Sequence, residues 1–340
     1  MKVLCNVDLT KYSDRRVTFI KEDEKEKHGF LSFTNLIFDK IEFIKKNEVD
    51  SILIFQPKTK DLAFYAMVKI LCPKVDIYYF DLLLKKPKSV VSKIISRVKR
   101  ILFKFSENVL CVHKDTSAYE KYYGIRTTAY IPFKSNNYDF YKDYSIKDEN
   151  YVLSCGASHR DYNTLFKAAQ DLAINFKVIV PEKEHIKIHK TLISLEHKPD
   201  NVEIVTHDFN KDTWNKMIAE CTFVVIPIDS DCIQPAGISV YLESMLLRKA
   251  VIVSSGPSSN LLIDDGKAII VKRGSSSEMK EAINDLWINP EKREALAEIG
   301  HRYALSLGGT EEHINNIKDV LSSSYKKNTR TKSDSSVYKE

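Results

Sequence analysis

No stretch of this 340-residue sequence approaches the roughly 18 uninterrupted apolar residues that a membrane-spanning helix needs. The first residues, Met-Lys-Val-Leu-Cys-Asn-Val-Asp, turn polar too soon for a secretory signal, so a cytoplasmic chain is expected. The six cysteines never form a C-x-x-C pair and most sit inside apolar runs, which points to reduced, buried thiols rather than disulfides or a metal site. A net charge of +6 is too small an excess to announce a nucleic-acid binder. What is there is ordinary globular material. Hydrophobic residues make up 43% and charged residues 29%, which rules out wholesale disorder. The length suits two domains.

The chain alternates short apolar runs with helix-spaced segments. Val3–Val7, Ser51–Phe55, Val75–Phe80 and Val109–Val112 read as strands, with helices over Phe30–Lys46, Leu62–Leu71, Val90–Phe105 and Thr116–Tyr123 between or after them. A polar, Tyr-rich stretch between Lys134 and Asn150 breaks this rhythm, and a second series follows. Its strands are Tyr151–Cys155, Lys177–Val180, Val202–Val205, Phe223–Ile226, Ala250–Val253 and Ala268–Val271. Helices are expected over Thr164–Ala173, Trp214–Glu220, Ser239–Leu247, Ser277–Trp287, Pro290–Ser306 and Glu311–Leu321. Repeated β-α units of this length predict parallel sheets covered on both faces. The expected architecture is therefore α/β, two Rossmann-like doubly wound domains facing a central cleft. Residues 1–140 and 141–321 form the domains, and residues 322–340, nearly free of apolar side chains, form a disordered tail.

The most informative stretch runs from Ile226 to Glu243. A strand ends at Pro227, a polar loop follows, and a helix opens near Gly237–Ser239. Ligands of open α/β sheets bind beyond the carboxyl ends of the strands. A helix N-terminus there offers unpaired N–H groups and a positive dipole end to a phosphate. Gly237 leaves room for the anion, Ile238 and Ser239 supply donors, and Glu243 is placed to accept hydrogen bonds from ribose hydroxyls. The plain alternatives are a turn glycine and a solvated helix glutamate.

The run Gln234-Pro235-Ala236-Gly237-Ile238-Ser239-Val240-Tyr241-Leu242-Glu243-Ser244-Met245 is followed by Arg248-Lys249-Ala250-Val251-Ile252-Val253, Leu262-Ile263-Asp264-Asp265-Gly266 and Val271-Lys272-Arg273-Gly274. Together with Pro290-Glu291-Lys292-Arg293, it resembles the donor domain of group 1 glycosyltransferases, which are GT-B fold and mostly retaining. The resemblance covers about residues 150–320 well and the first half only in its β-α rhythm. It implies a nucleotide diphosphate sugar as donor, no metal and no cofactor. It also marks Gly156-Ala157-Ser158-His159-Arg160-Asp161-Tyr162-Asn163-Thr164-Leu165 as the first donor-domain loop. Gly156 opens that loop, and Arg160 falls where the family places a diphosphate-binding Lys. His159 reads as a plain polar loop residue, and the plain alternative for Arg160 is a surface residue capping the loop. The implied donor-site set is Gly156, Arg160, Gln234, Gly237, Ile238, Ser239 and Glu243, with Arg160 and Glu243 also acting on the reaction. The chain departs from the family at Pro235, which stands where an acid helps hold the donor sugar, and at Ala157, which stands where an Arg is usual.

Between Leu82 and Ser106 stand eight Lys or Arg and no acidic residue, interleaved with apolar residues at helical spacing. One reading is a helix with its apolar face packed on the sheet and its cations solvated. The other adds an anionic membrane surface facing those cations, through the basic helix of residues 85–104. No nucleic-acid motif accompanies the charge. Asp81, after the strand that ends at Phe80, is the candidate to position or deprotonate an acceptor hydroxyl, or else a helix cap. His28, just before a helix, is a weaker candidate to contact the acceptor, or else a plain exposed histidine. The sequence thus predicts transfer of a sugar to a hydroxyl of a glycan or lipid-linked acceptor, in surface glycan synthesis at the inner face of the membrane. A non-catalytic nucleotide-sugar-binding partner and a GT-B epimerase are the alternatives.

Overall fold

The computed structural model describes residues 1–21, 33–141, 144–182, 190–206 and 211–337, with residues 184, 186 and 188. It divides into two compact units. One comprises residues 1–112, 116–131 and 314–340, the other residues 113–115 and 132–313.

The N-terminal unit holds a six-stranded parallel sheet in the order β2-β1-β3-β4-β5-β6. Its strands are β1 (Lys2–Cys5), β2 (Thr18–Lys21), β3 (Ser51–Phe55), β4 (Asp76–Phe80), β5 (Asn108–Cys111) and β6 (Thr128–Tyr130). The central strands are continuous apolar runs because both faces are covered: every residue of β4 is buried. The edge strands β2 and β6 went unpredicted because they are short and half-exposed, so neither carries a long apolar run. Helices α1 (Phe33–Asn47), α2 (Thr59–Leu71), α3 (Val90–Leu102) and α4 (Ser117–Tyr123) belong to this unit, and α4 ends on Gly124 at φ +67° as a left-handed cap. His28 lies outside the described residues.

The second unit repeats the design with β7 (Val152–Cys155), β8 (Phe176–Val180), β9 (Val202–Thr206), β10 (Phe223–Ile226), β11 (Ala250–Ser254) and β12 (Ile269–Val271), all parallel, in the order β12-β11-β10-β7-β8-β9. Its helices are α5 (Tyr138–Tyr141), α6 (Tyr162–Ala169), α7 (Lys211–Glu220), α8 (Ile238–Leu246), α9 (Ser276–Ile288) and α10 (Pro290–Leu307). Val152, Tyr162, Phe166, Phe176 and Phe223 anchor its core. Helix α6 stops at Ala169, short of the predicted Ala173, where Gln170 turns extended and Asp171 takes φ +63°.

Three expectations change. The division between units falls at Ile131/Pro132 rather than near residue 140, and the chain rejoins the first unit at Ile314. The last helix, α11 (Thr310–Val337), continues past Ser322, where disorder was expected. Leu321 is fully buried and the Tyr325 hydroxyl donates to Asp50 at 3.2 Å, so local composition was outweighed by docking on the N-terminal unit. The apolar face of α3 is exposed instead of packed on the sheet. Among the described residues no helix is long and apolar enough to cross a membrane.

Candidate active site at the switch point of the second sheet

The chain enters the second sheet at β7, winds outward through β8 and β9, then returns to the other side of β7 as β10. This reversal opens a crevice beyond the carboxyl ends of β7 and β10, the position where doubly wound sheets bind ligands. Both loops singled out in the sequence lie there. They are tied to each other by an antiparallel bridge between Arg160 and Ile228. Asp161 N donates to Pro227 O at 3.1 Å, and Asp229 N donates to His159 O at 2.9 Å. Ile228 N reaches the Ser254 hydroxyl at the end of β11, at 3.1 Å.

Arg160 is 2% exposed, not a surface residue. Its Nε donates to Cys155 O at 3.0 Å and its Nη1 to Ser158 O at 2.8 Å, so the guanidinium is folded back under its own loop. Gly156, at φ +116°, makes this possible: a Cβ there would lie 2.2 Å from Arg160 Nη2. A Cβ on Gly237 would lie 4.0 Å from Arg160 Nη1, so the same cation sits against both loop glycines. Among the described residues no carboxylate acts on its charge, and burial pulls its pKa down. A buried cation without a counterion is costly and favours an anion nearby. His159 is buried at φ +54°, so it is part of the loop's frame rather than a solvated residue. Asp161 caps α6 by accepting from Thr164 N and Oγ1 at 3.1 and 2.6 Å.

Gly237 caps α8 at φ +91° and carries no side chain to cover the first turn, while Tyr241 N closes the helix on Gly237 O at 3.0 Å. Ile238 and Gln234 are buried, and Ser239 is half-buried. From Val240 to Leu246 every residue of α8 is buried. Glu243 belongs to that stretch at 6% exposure, so it is no solvated helix residue. Trp214 Nε1 on α7 donates to Glu243 Oε2 at 3.1 Å. Burial raises the Glu243 pKa above the usual carboxylate value, against hydrogen bonds from Trp214 and Asn136 and the charge of Lys134. The Cys155 thiol feels both charges, Arg160 lowering its pKa and Glu243 raising it, while its burial raises it most. Helix α10 fixes α8 from behind: Gly300 lets Met245 approach, and His301 Nδ1 lies 3.2 Å from Met245 O.

Sequence reasoning missed three contributors. Trp214 and Asn136, which satisfy Glu243, carry no local motif. Arg273 was quoted only as part of a resemblance. It repeats the Arg160 device two strands across the sheet, beyond β11: its Nη1 donates to Cys232 O at 2.7 Å, its Nε to Ser255 O, and a Cβ on Gly256 would collide with its Nη2 at 1.7 Å. The visible signal was a glycine just after a strand followed later by an arginine, present twice. Asp81 belongs to the other unit. It sits beyond β4 at φ +53°, accepts from Gln56 Nε2 at 2.7 Å, and has its pKa raised by burial.

Residues 139–303 match the family of glycosyl transferases group 1. No curated protein matches the chain. Among solved structures it is similar to Alr3699/HepE of Anabaena, crystallised in complex with UDP and glucose, at 18% identity and TM-score 0.64 over 90% of this chain and 86% of that one. A glycosyltransferase of Rickettsia africae superposes with TM-score 0.66 at 12% identity over 96% and 90%. Sucrose-phosphate synthase of Thermosynechococcus elongatus gives 0.64 at 12% over 89% and 82%. At these identities the structures establish the fold, two parallel sheets of the GT-B kind, and the sequence match falls on the unit with the switch-point loops. The chain therefore has the GT-B fold, and its second unit carries the stretch that matches glycosyl transferases group 1.

Proposed function

We propose that the chain transfers a sugar, with retention of configuration and without a metal, from a nucleotide diphosphate sugar to a hydroxyl of a glycan or lipid-linked acceptor in surface glycan synthesis. One observation carries the donor site: a buried guanidinium without a carboxylate partner lies against Gly237, the open N-terminus of α8, at the switch point of the sheet. In the reaction the bond between the sugar's anomeric carbon and the diphosphate oxygen breaks, and its electron pair leaves with the diphosphate. The acceptor oxygen forms the new bond and loses its proton. Negative charge therefore grows where the α8 amides of Ile238 and Ser239 and the charge of Arg160 would meet it. Two of Arg160's N–H donors are held by Cys155 and Ser158, so its first role is a fixed positive charge beneath the loop. A carboxylate can accept about four hydrogen bonds. Trp214 and Asn136 supply two to Glu243, which leaves capacity for ribose hydroxyls.

Asp81, with its raised pKa, fits the acceptor side as the group that orients or deprotonates the incoming hydroxyl. HepE was crystallised with UDP and glucose, which supports UDP as the first nucleotide to test. Calorimetric titration with UDP tests the donor site: Arg160→Ala and Glu243→Ala should each weaken binding at least ten-fold, and unchanged affinity in both would remove the assignment. Pro235 in place of an acid favours a second reading, a nucleotide-sugar-binding partner without turnover. Slow hydrolysis of the donor sugar by purified protein would count against it. A rearranged sugar nucleotide formed without acceptor would instead indicate an epimerase.

A further inference from the structure

Helix α3 is folded inside out. At about 100° per residue, Val90, Val91, Ile94, Ile95, Val98 and Ile101 share one arc, and Ser92, Ser96, Lys99 and Arg100 lie opposite. In a helix that merely covers a sheet, the first arc would face the core. Here the polar arc does. Ser96 is the buried residue of the helix and donates to Tyr122 O. Arg100 Nη2 donates to Lys121 O at 2.9 Å, and its aliphatic stem lies over Gly124. Lys99 stands 6.0 Å from the Tyr123 ring. The polar side of α3 is thereby docked on α4, and the apolar arc is left outward: Val90 is 74% exposed, Val91 65%, Ile94 53% and Ile101 59%.

Such an arc is costly in water and needs an occupant. Charge names it. Lys93 and Arg97 border the apolar arc, Lys104 follows the helix, and residues 82–106 contain no acid. A two-fold contact with a second copy would set these cations against their own kind. An anionic lipid surface complements both features, apolar arc to acyl chains and cations to headgroups.

We infer that α3 lies in the plane of an anionic membrane, its Val90–Ile101 arc inserted below the headgroups and Lys93 and Arg97 at the phosphate level. The helix spans about 20 Å of that surface. This rests on the lipid-linked acceptor of the reading above and gives that acceptor a place to be met, but it does not depend on the donor site.

The test is flotation of the full chain with phosphatidylcholine vesicles, with and without phosphatidylglycerol, and UDP titration of the same samples. The expected result is flotation with the anionic vesicles only, weakened by salt. The double variant Ile94→Asp/Val98→Asp should stay unbound while UDP binding is unchanged. Lys93→Ala and Arg97→Ala should each lower partitioning about five-fold. Equal flotation of the double variant, or equal binding to neutral vesicles, would overturn the inference. So would a wild type that ignores vesicles and instead forms a concentration-dependent dimer that the double variant loses. Lost UDP binding with vesicle binding intact would sink the donor site and leave this surface standing.

Discussion

In the N-terminal sheet the switch from β1 to β3 is closed by an amide: Asn6 Nδ2 donates to Phe55 O at 3.0 Å, and its Oδ1 accepts from Phe55 N at 2.8 Å. The next strand end carries Gln56 at φ +47° bonded to Asp81 at φ +53°. In the C-terminal sheet the corresponding ends, after β7 and β11, carry Gly156 and Gly256, each with an arginine folded over it. The same β-α frame is thus finished twice with opposite charge. Where a side chain with a neutral amide or a carboxylate closes the strand ends, the surface suits a hydroxyl donor. Where glycine admits a guanidinium beneath the loop, it suits an anion. The frame supplies the crevice, and the residue after each strand decides what it can hold.

The sharpest way to break the comparison is Gly156→Ala. The added Cβ would overlap the Arg160 guanidinium and force a side chain into φ +116°. Overpacking and backbone strain together predict a loss of about 3 kcal/mol in denaturant unfolding, with UDP binding abolished. Next in size is Arg160→Ala, which removes the cation without adding bulk. It leaves Cys155 O and Ser158 O without their donors, so about 2 kcal/mol of stability should go, together with at least ten-fold in UDP affinity. If stability falls and UDP affinity does not, Arg160 is a loop staple and the charge contrast between the sheets means nothing for ligands.

How much of this was legible beforehand follows from range. Continuous apolar runs such as Phe223–Ile226 and Ala250–Ser254 announce buried parallel strands because burial on both faces leaves no alternation. Gly237 and Glu243 could be placed on one helix in advance because their spacing is local. The enclosure of Arg160 was not legible: it depends on Gly156 and on an antiparallel bridge to Ile228, far along the chain. The inverted packing of α3 was not legible either, since an amphipathic pattern states that two faces differ and not which one is inward. Order beyond Ser322 was missed because local composition is silent about Leu321 and Tyr325 docking on the first unit.

Asp81→Asn probes the other sheet. It keeps the side chain's shape and an acceptor oxygen for Gln56 Nε2, while removing the charge that burial already disfavours. The expected outcome is a fall in kcat of about 100-fold or more, with UDP affinity unchanged within two-fold. A parallel loss of UDP binding would mean that the two sheets do not divide the labour by charge.

The smallest effect expected is in stability, from Glu243→Gln. Glu243 has a folded-state pKa above its unfolded value because it is buried, so the native state holds its proton more tightly than the unfolded chain does. Its ionised form therefore weakens the fold at neutral pH, and the native state recovers stability as pH falls through the raised pKa. The Gln variant lacks that titration. At pH 7 it should be more stable than the wild type by up to about 1 kcal/mol. The gap should narrow on acidification and become constant below about pH 3.5, where the wild-type carboxyl is neutral in both states. Chemical denaturation across this range measures it. If UDP affinity drops in the same variant, the carboxylate is kept at the expense of stability for what it binds. A gain in stability with no change in affinity would return Glu243 to the helix core, held by Trp214 and Asn136.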